Sequence, residues 1–294
     1  MNILTFDIEE WYLQKEYFGD HKDMYAKYDE CLDKILDMLD EIQFKGTFFC
    51  VGGMGKDFPE VVRRIGDRGH EIGCHSFKHV WLNKLSRQEC LEDTRTAVDA
   101  LEQCIGKKVK SYRAPAFSIG EPNKWAFEVL AECGIERDAS VFPAMRDFGG
   151  FAQFGHKTPT LVRLGDVTIR EFPICTTHLL GHELAYSGGG YFRFFPLWYV
   201  KREMNKANYS MTYFHIADLI PEGRGFMSRK DFEDYFKVPG TLKNRSLRYV
   251  KSNLGKRSAF DKMSRLSHSF SFINLNMADN EIDWSKAPIV NLES

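Results

Sequence analysis

The chain of 294 residues is notable first for what it does not contain. Its 40 Lys and Arg against 41 Asp and Glu leave a formal charge of −1, so no basic excess points to nucleic acid as a partner. The seven cysteines (Cys31, Cys50, Cys74, Cys90, Cys104, Cys133 and Cys175) are odd in number, widely spaced and free of any C-x-x-C pair. They read as reduced thiols buried as small apolar side chains rather than as a disulfide framework. No window approaches the roughly 18 apolar residues that a transmembrane helix needs. The opening "MNILTFDIEEWY" has no basic n-region and no long apolar core, which argues against a secretory signal and makes a cytoplasmic location the expectation. Internal repeats and low-complexity tracts are absent as well.

What is present is an ample core: 43% of residues are hydrophobic and 24 are Phe. The length suits one large α/β unit or two ordinary domains. Short apolar runs alternate with helical patterns, which predicts a parallel β/α architecture. Strands are expected over 2–6, 46–51, 70–74, 109–115, 135–142, 167–175 and 209–216. Between them, Leu32, Ile35, Leu36, Leu39 and Ile42 step along one helical face. A second helix spans 58–69 with Pro59 near its start and Gly69 at its end, and a third opens on the capping-box pair Ser86 and Glu89 and closes near Gly106. A fourth covers 124–134. The Gly- and Phe-rich stretches 142–159 and 187–196 read as irregular. From Arg224 to Arg265 twelve Lys and Arg stand against four Asp and Glu; solvated helix faces are the plain reading, and contact with an anionic glycan or with membrane phosphates the sharper one.

Chemistry-bearing residues recur where the apolar runs end: Asp7 and Glu9, then His75, Arg113, Asp138 and His215. In a parallel barrel these carboxyl ends share one rim, where sites are assembled from several loops. The stretch "HEIGCH" is a near miss for the zincin motif, because His70 and His75 are five apart on what reads as a strand. His75 and His79, four apart, can face one ion, and neutral imidazole is a good ligand for a divalent metal. Ser140 lacks a G-x-S-x-G context and reads as a turn hydroxyl.

Six ordered segments carry a family resemblance: "LTFDIEEWY", "HSFKH", "YRAPAFSIG", "RDASVFP", "SGGGYFRFFP" and "TYFHIADLIP". Together they resemble the polysaccharide deacetylase (NodB-homology) superfamily, most of all its branch found in exopolysaccharide loci. The resemblance covers 1–221 and implies an irregular (β/α) barrel of about seven parallel strands; residues 222–294 are then a basic, mainly helical extension packed on the same domain. It further implies metal-dependent removal of N-acetyl groups from amino sugars in a polysaccharide or glycan precursor. Glu9, His75 and His79 would ligate a divalent ion, zinc by preference with Co²⁺ or Ni²⁺ also accepted. Asp7 would be the general base, Arg113 its orienting cation and His215 the general acid. Asp138 would support His215 or simply close a turn. Pro115 falls on the substrate side, as do Tyr191 and Arg193, read as a stacking ring and a cation for an acidic sugar, with core packing as the alternative for the aromatics.

The family's motif of two adjacent aspartates is altered here to Asp7-Ile8-Glu9-Glu10. Alternation along an extended segment sends Asp7 and Glu9 to one side and Glu10 to the other, which favours Glu9 over Glu10 as ligand. Rival readings are a sugar deformylase or O-acetyl esterase with the same metal site, and a non-catalytic carbohydrate-binding homologue. The partner implied is a glycan or a lipid-linked saccharide.

Overall fold

The computed structural model describes residues 1–145, 149–179, 181–221, 225–236 and 238–293. Seven parallel strands form its centre: β1 (Thr5–Ile8), β2 (Thr47–Cys50), β3 (Glu71–Cys74), β4 (Ser111–Tyr112), β5 (Arg137–Asp138), β7 (Val167–Glu171) and β10 (Phe214–His215). Neighbours follow in the order β10-β1-β2-β3-β4-β5-β7, each pair parallel. The strands are shorter than the apolar runs that announce them, and the 209–216 run splits into Ser210–Met211 and β10. Both β1 and β2 are buried at every position, as expected for parallel strands covered on both faces.

The ladder does not close. Across the open seam between the segment after β7 and the segment before β10, the Tyr209 hydroxyl donates to the Pro173 carbonyl (2.8 Å) and the Met211 amide meets Cys175 Sγ (3.0 Å). Strand β6 (Thr160–Leu164) turns antiparallel onto the outer edge of β7, and β11 (Ile289–Leu292) continues that edge in parallel with β6. A separate hairpin joins β8 (Thr176–Leu179) to β9 (His182–Ala185).

The helices begin and end where their chemistry dictates. α1 (Lys22–Glu41) buries Leu32, Ile35, Leu36 and Leu39 along one face. α2 (Pro59–Asp67) has Pro at its first turn. α3 (Arg87–Ile105) carries a complete capping box, in which Ser86 Oγ accepts from the Glu89 amide and the Glu89 carboxylate accepts from the Ser86 amide, and it stops at Gly106 in the left-handed region (φ +66°). α4 (Ala126–Glu132) lies within the expected helix.

The C-terminal segment is built into the barrel. The Leu4 amide donates to Ile273 O and the Leu275 amide to Thr47 Oγ1. Asp279, on the helix Leu275–Glu281, accepts from Arg137 (3.2 Å) and Arg170 (2.7 Å). Since Thr47, Glu71 and Arg137 open their strands, this helix packs on the amino end of the barrel, opposite the end where Glu9, His75 and His215 lie. None of the seven cysteines is disulfide-bonded. Among the described residues no helix is long and apolar enough to cross a membrane.

One expectation needs correcting. The stretch 187–196 contains a helix, α5 (Gly189–Phe194), followed by α6 (Leu197–Lys206). Its glycines allow a close approach: a Cβ on Gly188 would lie 2.2 Å from Tyr213 O. Gly188→Ala is therefore expected to cost about 1–3 kcal/mol through overpacking, read as a lowered urea midpoint with an unchanged m-value.

Candidate active site

Arg113 is the organising residue. It follows β4, is fully buried, and lies face-on to Phe49 with its guanidinium carbon 4.3 Å from the ring centroid. Its Nη1 donates to Asp7 Oδ1 and to Thr5 Oγ1, both at 2.7 Å, and its Nε to Ala139 O at 3.2 Å. Asp7 is on β1, and register pairs it with His215 on β10. Its second oxygen, Oδ2, lies 3.7 Å from His215 Nε2.

The carbonyl of Arg113 accepts from His75 Nδ1 at 2.7 Å. That bond fixes the tautomer and leaves Nε2 facing Glu9 Oε2 at 3.5 Å. His79 Nε2 approaches the same oxygen to 2.7 Å. One ligand-type atom from each of Glu9, His75 and His79 lies within 4.8 Å of the others, a group that could hold a metal ion. The donor set suits a divalent cation of the zinc type: two imidazole nitrogens and one carboxylate oxygen, with the first ring already anchored from behind. Burial pushes the Glu9 carboxyl up, yet the imidazoles of His79, His215 and His75 together bring it well below the usual carboxylate range.

The loop bearing His79 is tied to α3. The Phe77 and Lys78 amides donate to the two oxygens of Asp93 at 2.7 and 3.3 Å. Ser76 and His79 adopt φ +58°, and Ala116 and Phe117, just past Arg113, are at +55° and +54°. Four of the five non-glycine residues with positive φ thus lie in the two loops that carry the site, as strain held by surrounding structure often does.

His215 is held from the other side. Its Nδ1 lies 3.1 Å from Asp218 Oδ2, and Asp218 Oδ1 lies 3.1 Å from Arg193 Nε. Burial alone would push the imidazole down; the Glu9 carboxylate, then Asp218 and Asp7, outweigh it and raise its pKa to about 10.

The remaining candidates sit elsewhere. Asp138 accepts from the amide and hydroxyl of Ser140, and register sets it beside Glu171 on β7. Burial raises both carboxyls, Glu171 more, because the neighbouring Asp138 adds to the effect. The place beside His215 expected for Asp138 is occupied by Asp218. Glu10 accepts from the Ala217 amide at 2.7 Å and is not part of the group that Glu9 forms with His75 and His79. Arg193 is buried, and its guanidinium is taken up by Asp218 and by the carbonyls of Lys251, Ser252 and Leu254 at 2.8–3.0 Å; this chain's own oxygens, rather than an acidic sugar, satisfy it. Tyr191 is half-buried against the core, and Pro115 is buried at the start of the turn Pro115–Phe117. Ser140 Oγ accepts from the Ala114 amide, so it braces the Arg113 loop.

A family profile described as "Polysaccharide deacetylase" matches residues 3–137. The chain belongs to the polysaccharide deacetylase superfamily. A second profile, a domain of unknown function (DUF3473), matches residues 139–278, so the two profiles meet just after β5. Among curated deacetylases, a peptidoglycan-N-acetylglucosamine deacetylase of Bacillus cereus is 36% identical over 100 residues, covering 34% of this chain and 36% of its own length. A chitooligosaccharide deacetylase of Rhizobium leguminosarum bv. trifolii is 31% identical over 105 residues, 33% of this chain and 49% of that one. The chain thus spans less than half the length of these relatives. A crystal structure of a putative polysaccharide deacetylase from Mycobacterium smegmatis aligns over 99% of this chain and 92% of its own, with a TM-score of 0.64 at 17% identity, and shows that the deacetylase fold extends across both profiles.

Asp218 and Asp93 escaped the sequence reading. His215 and Asp218 stand three apart at the start of a helical turn, so H-x-x-D spacing was a usable signal. Asp93 lies in mid-helix with no local cue.

Two outcomes follow. Arg113→Met leaves Asp7 buried without its cation and is expected to cost about 3–5 kcal/mol, measured by chemical denaturation. For His215 the folded pKa lies above that of a free imidazole, about 6.5; the stability it supplies is complete below that pH and is lost as pH rises towards 10. Asp218→Asn should move this loss to lower pH, visible in an NMR titration of the ring.

Proposed function

We propose that this chain is a metal-dependent N-deacetylase that hydrolyses the N-acetyl groups of amino sugars in a polysaccharide or a glycan precursor, free or carried on a lipid. The observation that carries the reading is convergence at one rim. Glu9, His75 and His79 face one another, Asp7, buttressed by Arg113, lies beside His215, and His215 feels both Glu9 and Asp7.

Each residue has a task that its surroundings suit. Glu9, His75 and His79 would hold the cation, with zinc favoured by the donor set. When bound, such an ion supplies Lewis-acid polarisation of the acetyl carbonyl and acidifies a water. Asp7 would take the proton of the attacking water. Arg113 fixes one carboxylate oxygen and leaves the other on the His215 side, which points the base in one direction. His215 carries a proton at neutral pH and presents Nε2 beside Asp7, where it can protonate the departing sugar amine. Asp218 keeps Nδ1 protonated and the ring oriented. Its help does not rest on the metal, although a cation on Glu9 would offset the largest of the charges that raise His215.

Zinc-loaded protein should release acetate from chitooligosaccharides, generate a free amine on the product, and lose this activity to a chelator. Asp7→Asn and His215→Ala should each lower the rate by about 10²–10⁴-fold while zinc is still bound stoichiometrically. Release of formate, or of acetate with no new amine, would replace this reading with a deformylase or an O-acetyl esterase. Undiminished glycan binding without turnover in the metal-loaded chain would make it a binding protein.

A further inference from the structure

The helix Leu242–Asn253, here α8 (with Arg229–Phe236 as α7), has no buried residue. Its arginines turn towards the protein: Arg245 donates to Met227 O at 3.1 Å and lies over Phe226, and Arg248 lies over Phe236 at 4.7 Å from the ring centroid. Its aliphatic residues turn outward. Leu247 and Val250 are 50% and 55% exposed, and Leu254, just past the helix, is 49% exposed. Steps of three and four residues put them on one face. A helix on a globular protein ordinarily turns such a row to the core, and here the order is reversed. The helix also carries four cations (Lys243, Arg245, Arg248 and Lys251) and no acid.

A second patch adjoins it. The Arg193 guanidinium gathers the carbonyls at the end of α8, and Gly255 packs against the Arg193 backbone. Next along the chain come Phe194 and Trp198, each 64% exposed. Large aromatics and an aliphatic row among basic residues make up the composition of a surface that lies in the headgroup region of a bilayer. A second copy of the chain fits less well, since pairing α8 with itself would set like charges together.

We propose that this face rests on an anionic lipid bilayer, with Leu247, Val250, Leu254 and Trp198 at the boundary between headgroups and acyl chains and Lys243 and Arg257 among the phosphates. The surface is narrower than the basic stretch 224–265 as a whole; Lys256, for one, is buried. Because Arg193 also contacts Asp218, the lipid-facing helix abuts the His215 side of the site. That placement suits a saccharide carried on a lipid in the same membrane. Binding itself does not depend on the deacetylase reading.

The test is flotation of the full chain with vesicles of equal parts phosphatidylglycerol and phosphatidylcholine, without substrate. The chain should float with these vesicles, and less so on phosphatidylcholine alone or in high salt. The variant Leu247→Glu/Val250→Glu/Leu254→Glu should bind at least about tenfold more weakly, with an unchanged circular-dichroism spectrum and undiminished activity on a soluble chitooligosaccharide. A wild-type chain that stays at the bottom of the gradient, or a variant that floats as well as wild type, overturns the proposal. So does a wild-type dimer that the variant converts to monomer, which assigns the face to a second copy. A chain that floats but releases no acetate would sink the deacetylase reading and leave this one standing.

Discussion

The buried pair of Asp7 and Arg113 is the constraint on which the site depends. A guanidinium with no solvent contact is tolerated only when its donors are taken up, and here a carboxylate, a hydroxyl, a carbonyl and the face of Phe49 do so. These partners come from β1, β2 and the segment after β5, so the cation that orients Asp7 also gathers the centre of the barrel. The same residue, through its carbonyl, sets the tautomer of His75. Asp7 and His75 are thus positioned by two ends of a single amino acid, and a displacement of either is felt by the other.

Opposite ends of the strands do opposite work. At the amino end, Asp279 draws Arg137 and Arg170 onto the C-terminal helix, where Glu71 also engages Ser111 and Thr47. Charges there are paired within the protein and close the barrel's floor. At the carboxyl end the loops are forced into positive-φ conformations, and carboxylates and imidazoles face one another without lysine or backbone groups to neutralise the Glu9 oxygen that both histidines approach. Paired charges are thereby concentrated at one end and the candidate site at the other, the arrangement usual in parallel barrels.

Much of this was legible in the residues. Apolar runs located the seven barrel strands, and Ser86 with Glu89 marked a helix start to the residue. Alternation favoured Glu9 over Glu10; the strand in fact ends at Ile8 and a helical turn opens at Glu10, and the structure sets Glu9 among the imidazoles and Glu10 on the Ala217 amide. What escaped depended on partners remote in sequence. The edge strands β6 and β11 lack the continuous apolar run of a buried strand, since Thr160–Leu164 exposes Arg163. α5 was hidden by glycines whose purpose lies in the backbone of Tyr213. Arg193 announced a charge but not its partners, Asp218 and the carbonyls at the end of α8, and nothing local to Asp138 told that Glu171 lies beside it.

The outer flank of β10 has a consequence for how Asp7 and His215 are held. β1 and β3, which lead into Asp7, Glu9 and His75, are laced to strands on both flanks. β10, which bears His215, is laced to β1 on one flank; on the other, Gly188 bridges Tyr213 and the Gly189 amide donates to Tyr213 O at 2.9 Å. Breathing motions collect where lacing is thinnest. The turn that opens α5 is thus a clasp on the strand of His215, and its closeness to Tyr213 limits how far that ring can drift from Asp7.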